Sequence, residues 1–362
     1  MAEDVYRKLQ EHLHQHPMGY PATKSGVEID LLKKLFAEEE AKIALAMTPK
    51  PETPEEIAAK LGFEPRVMAE KLDRMAKKGL IMRKRKENRD LFNLEPYLVG
   101  MYEFQIARLD SELIDLHEKY RMEGLGFEVL SSKTPYFRVI PVEKSISTEM
   151  VVLPHEKVSE LISRAETIAV TDCICRTKQN MVGKGCGHTV QNCLVLSPWA
   201  EYYLENGWPA KKISKEEALE IFKQAEEEGL VHTSQNTASG PWFICNCCSC
   251  SCGVLGAVKN LKLHSQVGRS YYFAKVSEDL CTGCEECVKR CQFGAISMEN
   301  MVAKVNQAFC MGCGLCKPTC PIEAISLICK AEDQIVPPPP NLGVMFDQIG
   351  KEKGRSMKVV IE

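Results

Sequence analysis

Cys281-x2-Cys284-x2-Cys287-x3-Cys291, followed by Cys310-x2-Cys313-x2-Cys316-x3-Cys320-Pro321, is the stretch on which the reading of this chain turns. Each of the second four cysteines lies 29 residues after its counterpart, and the repeat runs on into Ala-Ile-Ser triplets beginning at Ala295 and Ala324. Two residues between cysteines let one short loop set three thiolates around a corner-sharing iron–sulfur cube. A loop that tight cannot also reach the far iron, so a fourth thiolate has to come from elsewhere. Gly283, Gly312 and Gly314 allow the turns and close backbone approach that N–H to sulfur bonds require. A zinc ribbon uses two ligand pairs, whereas eight thiols in two runs of four favour clusters over zinc or disulfides.

The rest of the composition sets limits. A chain of 362 residues is long enough for two or three domains with a substantial core. A net charge of -3 gives no general attraction to nucleic acid or membrane. Eighteen cysteines is the abnormal number. The stretch Met1-Ala-Glu-Asp-Val-Tyr-Arg-Lys lacks the apolar run of a signal peptide, and no apolar stretch approaches the length of a bilayer span. A cytoplasmic setting is expected, where thiols stay reduced and clustered cysteines bind metal. So many air-sensitive centres suggest an anaerobic source.

Residues 271–329 resemble the bacterial ferredoxins that carry two [4Fe-4S] clusters. In that family the fourth Cys of each run serves the other cluster. The resemblance therefore implies Cys281, Cys284, Cys287 and Cys320 for one cube, and Cys310, Cys313, Cys316 and Cys291 for the other. One departure is Gln292, where the family repeats the Cys-Pro seen at Cys320-Pro321. Proline ligates nothing there, so two clusters are still expected. Cys329 follows on an apolar stretch and reads as a buried thiol.

At the other end, residues 27–47 carry apolar side chains at helical spacing. Thr53-Pro54-Glu55-Glu56 then reads as a capped helix start, with a helix to Leu61 stopped by Gly62. A second helix spans 65–78, and short strands at 80–82 and 91–94 flank a charged tip at 83–90. This order resembles the winged-helix regulators of bacteria. Residues 64–90 hold ten Lys or Arg against five Asp or Glu, a local charge of +5 that suits phosphate contacts. Glu64, Glu70 and Asp73 on the recognition helix oppose that use, so protein docking is favoured over DNA. Residues 96–123 read as one long amphipathic helix, a core element first and a homodimer seam second. Strands are expected at 127–130 and 136–142.

The middle of the chain holds nine more cysteines: Cys173, Cys175, Cys186, Cys193, Cys245, Cys247, Cys248, Cys250 and Cys252. A helix from Pro154 to about Ala165 precedes a strand over 167–175, which would set Cys173 and Cys175 on one face. Helices follow at 197–206 and 214–228, the latter with a Ser214 to Glu217 capping box. Cys245 and Cys247 share a face of a second strand. Two facing Cys-x-Cys strands would cradle a metal centre, and beside a ferredoxin segment iron–sulfur is favoured over structural zinc or redox thiols. His188 lies in a glycine-rich loop, where a lone imidazole is more often a surface residue than a ligand. Arg176, Lys178 and Lys184 read either as counter-charges to a cluster or as solvated side chains.

The expected fold is α+β: a winged-helix domain at 1–100, a connector at 101–150, a cysteine-rich domain at 151–268, a two-cluster ferredoxin domain at 269–330 and a Pro-rich tail at 331–362. As a whole it looks like the multidomain iron–sulfur proteins of anaerobic bacteria. That points to single-electron transfer within an oxidoreductase system, with a redox protein or oxidoreductase subunit as partner. No phosphate-binding glycine motif, Ser-His-Asp arrangement or Cys-x3-Cys-x2-Cys spacing supports a nucleotide, hydrolytic or radical chemistry. An iron–sulfur redox-sensing regulator is the second reading and a catalytic reductase the third.

Overall fold

The computed structural model describes residues 4–146 and 153–359. They form two compact units, one of Met1–Thr134, Glu201–Ala210 and Gly343–Glu362, the other of Pro135–Ala200 and Lys211–Leu342. Helix and sheet are mixed throughout, as α+β requires.

The first unit opens with α1 (Val5–His14), α2 (Val27–Leu35) and α3 (Glu38–Leu45). The helical spacing over 27–47 is divided at Phe36, whose extended backbone ends α2. Next come α4 (Pro54–Leu61) and α5 (Pro65–Lys77). Thr53 and Glu56 exchange capping bonds, and Gly62 closes α4 at φ 71°, a left-handed turn that costs glycine little. The charged segment 83–90 is not a tip. It lies within an antiparallel hairpin of β1 (Met82–Lys86) and β2 (Arg89–Asn93), with Glu87 and Asn88 at positive φ in the turn. Cross-strand pairing explains this: Arg85 faces Asp90 in the ladder and reaches its carboxylate at 3.1 Å.

The long helix expected over 96–123 is broken. A wide turn at Tyr97–Met101 holds Val99 at φ 55°, and the regular helix α6 (Ser111–Tyr120) starts only after Asp110. The Asp110 carboxylate accepts from the Leu113 amide at 2.8 Å, so an internal N-cap interrupts the apolar periodicity. Residues 127–130 are not a strand either but lie mostly in the short helix α7 (Gly126–Val129). The tail returns to this unit: Arg355 reaches Glu128 at 2.7 Å, and Phe346 packs on the His16 ring.

The second unit is built on a six-stranded sheet. Its strands are β3 (Phe137–Ile140), β4 (Ile168–Asp172), β5 (Gln191–Leu196), β6 (Ala210–Lys212), β7 (Val231–Gln235) and β8 (Phe243–Cys247), in the order β3-β7-β8-β5-β4-β6. Its helices are α8 (Val158–Ser163), α9 (Ile174–Met181), α11 (Lys215–Glu228) and α12 (Gly253–Asn260), while α10 (Trp199–Glu205) belongs from Glu201 onward to the first unit. One sheet face packs Val170, Leu194 and Ile244 against Leu161 and Ile162 of α8 and Phe222 of α11. Strand alternation then turns Cys193, Cys245 and Cys247 to the opposite face. That single parity choice separates the apolar core from the thiols.

The eight-cysteine segment adds β9 (Tyr272–Val276), α13 (Glu286–Arg290), β10 (Ile296–Glu299), β11 (Val302–Val305) and β12 (Ile325–Cys329). The strands pair as two antiparallel hairpin-like ribbons, β9 with β12 and β10 with β11. Cys329 ends β12 at the surface and is exposed, not buried as its apolar neighbours suggested. The C-terminal helix α14 (Leu342–Lys353) completes the chain. Among the described residues, no helix is long and apolar enough to cross a membrane.

Candidate metal centres

Strand pairing decides which cysteines meet in the eight-cysteine segment. The pairing of β12 with β9 is extended by a bond from the Ser277 amide to the Ala324 carbonyl at 2.8 Å, which sets the Cys320 turn beside Cys281. The pairing of β10 with β11 is likewise extended from the Asn306 amide to the Ala295 carbonyl at 2.8 Å, setting the Cys291 turn beside Cys310. The last cysteine of each run thus lies beside the first three of the other. A shallow hollow open to solvent is lined by Cys281, Cys284, Cys287 and Cys320 together with Val276, Met298 and Ile325. On the other side, Cys291 and Cys310 lie near enough to Cys313, and Cys291 to Cys316, to disfavour ionisation there.

Four backbone amides aim at these sulfurs with the symmetry of the repeat. Ala303 donates to Cys281 at 3.4 Å and Ala274 to Cys310 at 3.5 Å. Ala295 donates to Cys291 at 3.3 Å and Ala324 to Cys320 at 3.2 Å. Such N–H to sulfur bonds stabilise thiolate ligands, and two of their donors, Ala295 and Ala324, open the repeated triplets. Gly283 and Gly312 serve close approach: a Cβ on Gly283 would stand 2.6 Å from the Met301 carbonyl, and one on Gly312 would overlap the Tyr272 carbonyl. Burial pushes the Cys313 thiol up to about 12 and raises Cys310, Cys316 and Cys287 as well. Without a cation such thiols keep their protons, so these residues fit a positively charged metal core that displaces them.

The nine middle cysteines fall into two sets. Six form a chain of sulfur contacts, Cys173 with Cys175, Cys175 with Cys252, Cys252 with Cys247, Cys247 with Cys245, and Cys245 with Cys193 at 3.4 Å, which the electrostatic influence of Cys193 on Cys173 closes into a ring. Cys193, Cys245 and Cys247 stand on the sheet face described above. Cys173 and Cys175 do not lie on a strand, because β4 stops at Asp172. Cys173 instead occupies the N-cap position of α9 and Cys252 that of α12, so two helix N-termini adjoin the ring. Their amide ends favour negative sulfur, and the Gly253 amide bonds Cys175 directly. Proton sharing with Cys175, with burial, pushes Cys173 up, while bonds from Cys173 and Cys252 pull Cys175 down. Cys247 is pulled down in the same way by Cys245 and Cys252.

The other three cysteines sit with an imidazole. Cys186, His188, Cys248 and Cys250 bring their donor atoms within 4.8 Å of one another. His188 Nδ1 lies 3.1 Å from the Cys186 sulfur and 4.0 Å from that of Cys250. The surface position expected for His188 is therefore only half the description, since a Cys-x-His turn meets a Cys-x-Cys turn there. Burial opposes ionisation of Cys186, but bonds from Ser251 and His188 bring its thiol down to about 6. The spacing of the two turns was visible in the chain; their convergence across 62 residues was not.

Arg176 is the counter-charge that the sequence left open. It is 2 % exposed and donates to the Thr189 carbonyl at 2.9 Å, to Asn192 Oδ1 at 2.6 Å and to the Asn246 carbonyl. Burial works against its charge, but Cys173, Cys248 and Cys247 outweigh that and hold the guanidinium protonated. Lys178 is also buried, whereas Lys184 is exposed.

Gln292, the departure from the ferredoxin pattern, has a use of its own. Its carbonyl oxygen accepts from the Ser249 amide at 2.9 Å and the Ser249 hydroxyl at 2.8 Å, and its amide donates to the Gly229 carbonyl at 3.1 Å. Arg290 adds bonds to the Glu226 and Glu227 carbonyls. The turn after Cys291 is thereby fastened to the Cys248–Cys250 turn, which a proline could not do. No curated protein and no solved structure matches the chain. The eight-cysteine repeat does find a counterpart, for residues 274–327 match the family model of the 4Fe-4S dicluster domain, and this part of the chain is a ferredoxin-like iron–sulfur segment.

Proposed function

We propose that this chain is an electron carrier or oxidoreductase subunit that works through several iron–sulfur centres. The observation that carries the proposal is the hollow lined by Cys281, Cys284, Cys287 and Cys320, inside a segment that matches a dicluster family. Its ligand sets are those four residues, and Cys310, Cys313, Cys316 with Cys291. Clusters bound there supply single-electron storage; the chain supplies thiolates, amide bonds and burial, which tune the potentials. The ring of six central cysteines takes at least one further iron–sulfur centre, because six thiolates exceed the four that one zinc uses. Arg176 and the two helix N-termini offset its negative charge.

The five segments, from the winged-helix-like 1–100 to the tail 331–362, remain the functional division in this reading. The first serves docking, and its salt bridges support that use. Arg83 is paired with Asp73 and Glu205, Arg85 with Asp90 and Glu205, Lys77 with Asp73, Lys71 with Glu39 and Lys78 with Glu40. Cations already neutralised release few counterions from a nucleic acid, which weakens the regulator reading. A cytoplasmic, anaerobic redox partner fits a chain of this kind.

Anaerobic purification with iron and sulfide counting, followed by EPR of the reduced protein, tests the proposal. Two cubes account for about eight irons per chain, and a central centre raises the count clearly above that. A count near eight would remove the central cluster from the reading; signals of fewer than two cubes would remove the carrier itself.

A further inference from the structure

We infer that Cys186, His188, Cys248 and Cys250 form a mononuclear structural zinc site, separate from every iron–sulfur centre. The inference goes beyond the electron-transfer reading and does not depend on it. Three thiolates and one imidazole are a complete donor set for structural zinc. Tetrahedral zinc with Zn–S of about 2.3 Å places its donors about 3.5–3.8 Å apart. Cys186 and Cys248 lie 3.8 Å apart, and His188 Nδ1 is 3.1 Å and 4.0 Å from the Cys186 and Cys250 sulfurs.

The surroundings agree with a closed, structural centre. Two three-residue turns, Cys186-Gly187-His188 and Cys248-Ser249-Cys250, supply all four donors. Gly187, at φ 77°, allows the first turn to fold both of its donors to one side. Ser249, between the two sulfurs of the second turn, is held by Gln292. Cys248 packs with Ala225 and Leu230, so the centre also anchors the end of α11. Zinc has no redox states, so an ion here fixes geometry and passes no electron. It would clamp the glycine-rich loop to the turn that Gln292 ties to the ferredoxin-like segment. The six remaining thiols stay together as the separate ring.

The protein grown in medium containing both metals and purified anaerobically should hold one zinc per chain beside its iron. His188→Ala and Cys250→Ser should each lose that zinc while iron and sulfide per chain stay at the wild-type level. Cobalt(II) added in place of zinc reports the site directly, through thiolate charge-transfer bands and the d–d bands of a tetrahedral ion. His188→Cys should retain cobalt with bands shifted towards those of a four-thiolate site, which guards against variants that merely unfold. Wild-type protein without zinc, or a fall in iron and sulfide in folded His188→Ala, would overturn the inference. An iron count near eight with one zinc would sustain it and remove only the central cluster.

Discussion

Replacing Gln292 by leucine probes the tie between the ferredoxin-like segment and the central cysteines without touching a ligand. The wild-type side chain makes three hydrogen bonds, two to Ser249 and one to the Gly229 carbonyl. Each contributes about 0.5–1.5 kcal/mol net, so the set is worth about 1.5–4.5 kcal/mol. Gln292 is half-buried, and water can replace part of what leucine removes. That places the local loss at the lower end, about 1.5–2.5 kcal/mol. At about 1.4 kcal/mol per decade, opening around Ser249 becomes about ten- to sixtyfold more frequent. Hydrogen exchange read by mass spectrometry on the peptide 245–252 measures this, since the Ser249 amide is one of the bonded donors. Iron and sulfide should be unchanged, because Gln292 ligates nothing. Unaltered exchange in that peptide, or acceleration spread evenly over the chain, would refute the tie.

Other expectations follow from the same geometry. Cys291→Ala should abolish the EPR signal of the cluster held by Cys310, Cys313 and Cys316 and spare the one at Cys281, Cys284 and Cys287; the opposite loss would mean that each run keeps its own fourth cysteine. Buried His16 is held down to about 3 by burial, so the fold favours its neutral form. The unfolded chain takes up that proton below about 6.5, and stability is lost as pH falls from there toward 3. Glu95, raised to about 7 by burial, acts in the opposite sense between 7 and about 4.5. The comparison of wild type with His16→Gln isolates the histidine: their stability difference should shift against wild type by up to about 1.4 kcal/mol per pH unit on acidification. A pH-independent difference in denaturant titrations would show that His16 does not carry the effect. Duplex DNA should not be retarded even at low salt, because the cations of 64–90 include several already paired; salt-dependent retardation would restore the regulator reading.

Local features were legible wherever the chemistry is local. The Cys-x2-Cys-x2-Cys-x3-Cys runs, the Thr53 and Ser214 caps and the stops at Gly62 and Gly229 each depend on residues a few positions apart. Caps also explain two misreadings. Apolar periodicity over 96–123 hid the Asp110 N-cap, whose carboxylate starts a helix inside an apparently continuous one. The alternation over 167–175 hid the end of β4 at Asp172, after which Cys173 turns into the cap of α9.

Residue order alone is enough to show that eight thiols repeat at cluster spacing and that nine more gather in the middle of the chain. Covalent spacing limits what one loop can reach, and that is enough to identify the chemistry of a run. Which distant sulfurs come close to one another follows from the fold. The pairings of β9 with β12 and β10 with β11 carry Cys320 to Cys281 and Cys291 to Cys310. Sheet parity and two helix N-termini gather six thiols into a ring, while the meeting of two turns sets Cys186, His188, Cys248 and Cys250 apart. Those partitions rest largely on segments distant along the chain, β9 with β12 and two turns 62 residues apart, and the spacing of residues holds no record of them.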